Sequence, residues 1–239
     1  ENNYRGILYE FLGKNSYLKY ANNENYQGST SEYDEPDVVN GFDGGENDTV
    51  QGKITKDKLI EEYNEMVKSV IKYKGFYVAR YEAGLDKTTN EIVFKDASVA
   101  SNNVTTTDSS NDETKFWYGL YKKIKTFTTK DDEIVSSMIW GSQYDVMMNW
   151  MIKSKNNVGA EILKYNKTEI TGNEKNDIIN NIYDLYGCHR EWTLERRDTG
   201  GRSKRGGYWY TGGLPAERGD YYPNNINQSY SARASIYIK

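Results

Sequence analysis

The only cysteine and the only histidine of the 239-residue chain are adjacent, in the stretch YDLYGCHREWTLE from Tyr183 to Glu195, and Arg190 follows them. A thiol, an imidazole and a guanidinium in sequence raise three possibilities: nucleophilic catalysis, metal ligation, or a piece of binding surface. A nucleophilic cysteine needs a base within hydrogen-bond reach. If Gly187 to Thr193 is a regular strand, Cys188, Arg190 and Trp192 face one way while His189, Glu191 and Thr193 face the other, which separates thiol from imidazole. Tetrahedral zinc wants three or four Cys and His ligands, and only two are available. Arg190 can lower a thiol pKa, but an isolated thiol beside an arginine is more often a surface position. The triplet is therefore expected to hold no metal and no cofactor and to do no catalysis.

No other stretch carries a stronger chemical signature. Phosphate-loop, nucleophile-elbow and zincin motifs do not occur. The carboxylates Asp43, Glu46 and Asp48 in GFDGGENDT lack EF-hand spacing and read as a solvated acidic loop. An RGD tripeptide at Arg218 to Asp220 matches the integrin-recognition sequence, but three residues recur by chance.

Composition narrows the function classes. The formal charge of −4, with both signs interspersed, argues against nucleic acid as the main partner, since phosphate binding needs a basic face. No apolar run approaches the roughly 20 residues that cross a bilayer, so membrane insertion of this chain is not expected. A single thiol cannot form an internal disulfide and leaves the compartment open. Tyrosine is unusually common, at 22 residues, among many Asn, Ser, Thr and Gly, a mixture that suits binding surfaces because Tyr offers contact area at low entropic cost.

Two helices should position whatever the C-terminal half presents. Leu59, Ile60, Tyr63, Met66, Val67, Val70 and Ile71 recur at helical spacing between an N-cap at Thr55 and a stop near Lys74-Gly75. After SSMIWGS, Ser142 is expected to cap a second helix whose buried side carries Tyr144, Met147, Met148 and Met151. Between them, GFYVARYEAG reads as a strand with Phe76, Val78, Arg80 and Glu82 on one face, Arg80 and Glu82 being expected in structural ion pairs, with each other or with neighbours. Residues 87–132 read as long surface loops pinned by the cluster FWYGLY. Residues 1–52 form an extension with a short hairpin around Gly13-Lys14-Asn15, packed on a main domain spanning 53–239.

The ordered set GFYVARYEAG, SSMIWGSQYDVMMNWM, NIYDLYGCHREWTLE, RGGYW and SARASIYIK resembles the formylglycine-generating-enzyme (sulfatase-modifying factor) superfamily, a branch of the C-type-lectin-like fold. That family writes corresponding segments as GxYDLxGNVWEWT, RGGSW and a final GFR. The matching positions are Tyr183, Asp184, Leu185, Gly187, Glu191, Trp192, Thr193, Arg205, Gly206, Gly207, Trp209 and Arg233, over about Gly75 to Lys239. The resemblance implies an α+β domain of C-type-lectin-like fold: two helices on a small twisted antiparallel sheet with long loops, and Asp184, Glu191, Trp192 and Arg205 as scaffold. It also marks departures. The copper-holding cysteine pair of the enzymes has no counterpart after Glu191, and Cys188-His189-Arg190 replaces the usual Asn-Val-Trp, including the asparagine that commonly helps bind calcium.

The chain also resembles the non-enzymatic variable proteins of diversity-generating retroelements, which share this fold and whose genes are rewritten at adenines near the 3′ end. Cys, His and Arg codons are all reachable from asparagine codons by such rewriting, in a stretch where the rest of the motif is kept. The implied variable region is 187–239. Its interchangeable ligand-binding set is Cys188, His189, Arg190, Tyr208, Tyr210, Thr211, Leu214, Glu217, Tyr221, Tyr222, Asn224, Asn225, Asn227, Gln228 and Ser229. On a strand, Tyr208 and Tyr210 would be displayed while Trp209 packs inward. The implied function is binding of a protein or glycan ligand on a cell surface, by a protein displayed outside a bacterium or on a phage, without catalysis. The alternatives are a formylglycine-generating-type modifying enzyme with an altered site, or a structural component of a surface, pilus or phage tail.

Overall fold

The computed structural model describes residues 33–34, 56–89, 91–100, 117–129, 131, 133–154, 165–197, 202–215, 217–221 and 230–239. The expected N-terminal hairpin, the Asp43–Asp48 carboxylates, the Thr55 cap and residues Tyr222, Asn224, Asn225, Asn227, Gln228 and Ser229 lie outside them. The described residues form a mixed α+β structure of three helices and several small sheets. None of these helices is long and apolar enough to cross a membrane.

Helix α1 (Lys56–Tyr73) buries Leu59, Tyr63, Met66, Val67 and Val70 along one side, the spacing that the sequence pattern requires. It ends with Lys74 at φ 63°, a left-handed residue of the kind that closes a helix. Helix α2 (Trp117–Lys125) replaces the loop expected over FWYGLY. Trp117, Leu120, Tyr121 and Ile124 follow the i, i+3, i+4, i+7 rule and are buried. The Trp117 indole donates to the Thr193 carbonyl at 2.7 Å, tying the helix to the sheet. Helix α3 (Gly141–Lys153) starts one residue ahead of Ser142, and the Gln143 side chain accepts the Trp140 N–H at 3.1 Å. Tyr144, Met147, Met148 and Met151 are buried, as the pattern predicts, while Trp150 is exposed.

The main sheet is built on β9 (Arg190–Arg197), which is flanked by β10 (Arg202–Arg205) and, at its far end, by β1 (Tyr33–Asp34). Strand β11 (Arg218–Tyr221) extends it beyond β10. Strand β12 (Tyr230–Ala232) runs parallel to β9, Tyr230 opposite Arg190, so the sheet is not purely antiparallel as expected. Strands β2 (Tyr77–Val78) and β6 (Ile134–Met138) flank β13 (Ala234–Ile238) in a second, antiparallel sheet. Two small ribbons, β3 (Gly84–Leu85) with β4 (Ile92–Val93) and β5 (Val99–Ala100), and β7 (Ile178–Ile179) with β8 (Ile182–Tyr183), complete the described strands.

Buried ion pairs lock these layers. Arg233, between β12 and β13, donates from Nε to Glu191 at 2.9 and 3.0 Å and from Nη2 to the same carboxylate. Its remaining donors reach the carbonyls of Ala79 (2.8 Å), Arg80 (2.9 Å) and Tyr183 (2.8 Å). Asp145 on α3 accepts from Arg205 at 2.6 Å and Arg218 at 3.0 Å, and Glu195 faces both arginines from β9. Arg218 of the RGD tripeptide is thus buried in an ion-pair network on a strand.

Candidate functional site

Two arrangements gather residues that can do chemistry, one across the strands of the main sheet and one around the segment that leads into β9. The first arrangement collects residues that are distant in sequence. Because Tyr230 lies opposite Arg190 and Lys204 opposite Gly219, side chains from β9, β10, β11 and β12 meet on one face. Arg190 pairs with Glu217 at 2.7 Å and sits over the Tyr208 ring at 5.0 Å. The Lys204 ammonium donates to the Tyr230 hydroxyl at 2.8 Å and lies 4.5 Å from that ring and 5.2 Å from the Tyr221 ring. Burial, with the Arg190 charge beside it, brings the Lys204 pKa down to about 8, and burial pushes Tyr230 up to about 12. A side chain at Gly219 would press only on the flexible end of Lys204.

Tyr208 does not continue a strand. Tyr208 and Gly212 exchange backbone hydrogen bonds, with Gly212 at φ 69°, and close a tight turn whose tip is Trp209, Tyr210 and Thr211. Tyr210 is 70% exposed. Trp209 is half-buried rather than packed inward, and its ring meets Tyr210 edge-on. At the base of the turn, Gly207 passes so close to the Tyr186 carbonyl that a Cβ would collide with it. Of the expected binding set, Arg190, Tyr208, Leu214 and Glu217 are half-buried, and Tyr210, Thr211 and Tyr221 are exposed. Lys204 and Tyr230, which the sequence reading left out, complete the cluster.

Cys188 and His189 depart from the expectation: they are 0% and 1% exposed and do not reach the surface. The strand begins only at Arg190, and Cys188 takes φ 56°, which breaks the alternation assumed for it. As a result thiol and imidazole are not on opposite faces, and Cys188 Sγ lies 3.7 Å from His189 Nδ1. Glu82 joins them. It is fully buried, not exposed beside Arg80, because the strand expected over GFYVARYEAG is regular only at Tyr77–Val78. Glu82 is thus turned inward, where the neighbouring cation that acts on it is Arg233 rather than Arg80. The His189 backbone N–H donates to Glu82 Oε1 at 3.2 Å, and a carboxylate oxygen of Glu82, Cys188 Sγ and a ring nitrogen of His189 all lie within 4.8 Å of one another.

The surroundings fix this triad. Cys188 N–H donates to the Asn166 carbonyl, and the Cys188 carbonyl accepts from Trp209 N–H, both at 2.8 Å. Asn166 is itself held by Asp184 at 2.7 Å and Asp177 at 3.0 Å. Burial raises these two acids to about 6 and about 7. Glu82 is framed by Ala83, whose N–H donates to Ala232 and whose carbonyl accepts from the Ser231 hydroxyl at 2.6 Å. Burial, reinforced by Asp184 and Glu191, drives the Glu82 carboxyl well up, and burial beside Glu82 does the same to the Cys188 thiol. A buried thiol of this kind is a poor nucleophile.

No family model, no curated protein and no solved structure matches the chain.

Proposed function

We propose that the chain is a recognition protein of the diversity-generating-retroelement variable type, carried on a C-type-lectin-like scaffold of the formylglycine-generating-enzyme branch. Its ligand, a protein or glycan on a cell surface, docks around Arg190, Tyr208, Tyr210, Thr211 and Tyr221, and the protein acts outside the cell or on a phage particle. The reading rests on one observation: Arg190, Tyr208, Glu217 and Tyr221, each expected in the interchangeable set from the sequence resemblance, gather on a single face next to the exposed Tyr210. Tyrosine rings with cations stacked against them and small polar neighbours give broad, adaptable contact without a reactive group. The residues that match the family segments, Asp184, Glu191, Trp192, Arg205 and Arg233, are all buried. This division suits a constant frame with an exchangeable surface.

Sequencing the few kilobases beside the gene tests the reading. The expected result is a near-copy of the codons for Gly187 to Lys239, with mismatches only at adenines, beside a reverse transcriptase gene. Mismatches should fall at Tyr208, Tyr210 and Tyr221 and spare Glu191, Trp192 and Arg205. Absence of such a copy would remove the variable-protein assignment.

A further inference from the structure

We infer that Glu82, Cys188 and His189 form a binding site for one zinc-class divalent transition-metal ion, which clamps the root of the Cys188-His189-Arg190 segment. The site goes beyond the recognition role and does not depend on it.

The geometry carries the inference. A tetrahedral zinc ion with Zn–S of about 2.3 Å and Zn–N of about 2.0–2.1 Å sets its sulfur and nitrogen roughly 3.5–3.6 Å apart. Cys188 Sγ and His189 Nδ1 stand 3.7 Å apart, and the third ligand atom lies within 4.8 Å of both. Small rotations of the Glu82 side chain close the remaining distance. All three side chains are at least 99% buried, at 0%, 0% and 1% exposure. Glu82 Oε2 meets no nitrogen or oxygen donor among the described residues, and the donor beside this buried carboxyl is the Cys188 thiol itself. A metal ion would take the place of that thiol proton between the two side chains.

Charge selects the class of ion. Thiolate and carboxylate together offset a divalent cation, and the neutral imidazole adds none, so the loaded site has no net charge to desolvate. Thiolate ligation disfavours calcium and magnesium, which prefer oxygen-only shells, whereas thiolate with imidazole suits zinc. Three protein ligands leave one position for water. The ligands also stand on braced backbone: Glu82 next to the Ala83–Ala232 bond, Cys188 between Asn166 and Trp209. The Cys188 carbonyl bond to Trp209 N–H places the site one hydrogen bond from the turn that displays Tyr210.

The test uses the full, untagged chain under reducing conditions, titrated with zinc and, as a spectroscopic probe, with cobalt(II). The chain has a single cysteine and a single histidine, so any thiolate-to-cobalt charge-transfer band reports Cys188 alone. The expected result is one equivalent of zinc, a charge-transfer band with tetrahedral d–d bands on cobalt, and an unfolding midpoint raised by roughly 5 °C or more at about 100-fold excess over Kd. Cys188→Asn suits the left-handed backbone at this position and should fold, yet lose the band. Glu82→Gln retains the His189 N–H bond and should weaken zinc by more than about 100-fold, beyond the loss typical of a group that merely orients a ligand. Failure to bind stoichiometric metal, cobalt binding without the thiolate band, or unchanged affinity in both variants would each overturn the site.

Discussion

The buried ion-pair frame and the tyrosine turn sit on the same strands and obey different rules. In the frame, Arg233 uses all its donors on one carboxylate and three carbonyls, and Asp145 divides its oxygens between two arginines. In the turn, Tyr210 is 70% exposed and its ring meets only Trp209 among the described rings. Removing a group from the frame strands a charge where water cannot reach it, while removing one from the tip returns a ring to solvent. Sequence change is therefore tolerated on one side of the sheet and penalised on the other.

Arg233→Ala gives the strongest test of that contrast. It leaves the buried Glu191 carboxyl without its partner and takes a donor from the carbonyls of Ala79, Arg80 and Tyr183, of which that of Arg80 keeps the Tyr183 N–H, so stability should fall by about 3–5 kcal/mol, measured by urea unfolding. Pairing it with Glu191→Leu should recover part of the loss, since a buried pair replaced by apolar groups leaves no stranded charge. Asp145→Ala comes next, at about 3 kcal/mol, because Glu195 still faces Arg205 and Arg218 at 3.6 and 3.2 Å and offsets part of the damage. A frame substitution that left unfolding unchanged would remove the distinction between the two regions.

Lys204 stands between the regimes, and its effect is smaller. Its folded pKa of about 8 lies below the usual lysine value near 10.4, so the unfolded chain binds more protons between these values. The contribution of Lys204 to stability therefore increases as pH rises from about 8 to 10, and the burial penalty on its charge is felt in full below 8. Glu217 and Asp220 oppose the lowering and Arg190 reinforces it. Lys204→Met should flatten this rise relative to the unchanged chain; an identical pH profile would show that the ammonium is well solvated.

The helices α1 and α3 were legible because their apolar residues recur over several turns. Helix α2 was not, since nine residues inside a polar stretch give only two turns of signal. Of the frame residues, the motif order singled out Glu191, Arg205 and Arg233 but not Asp145, Glu195 or Arg218, whose ion pairs join distant segments and leave no local pattern. The Glu82–Cys188–His189 triad was hidden for two physical reasons. Its third member lies 107 positions from His189, and the positive φ at Cys188 cancels the period-two rule that set thiol and imidazole apart. The parallel pairing of β12 with β9 likewise has no sequence signature, yet it brings Tyr230 beside Arg190.

Tyr210→Ala isolates the tip. The ring is largely in water, its backbone stays in the turn closed by Tyr208 and Gly212, and no buried polar atom loses a partner, so unfolding should shift by no more than about 0.5 kcal/mol. Binding should respond very differently. An aromatic anchor at the centre of a recognition surface is commonly worth 2 kcal/mol or more, roughly a 30-fold loss of affinity. The measurement, which rests on the proposed recognition role, is binding of the unchanged and substituted chains to a glycan and cell-surface protein array, with the unfolding curves as control. A large loss of binding with unchanged stability makes the tip a contact surface. Unchanged binding would move recognition away from Tyr210 toward Tyr221 and Arg190, where the rings and cations already stack on one another and a ligand must compete with internal partners.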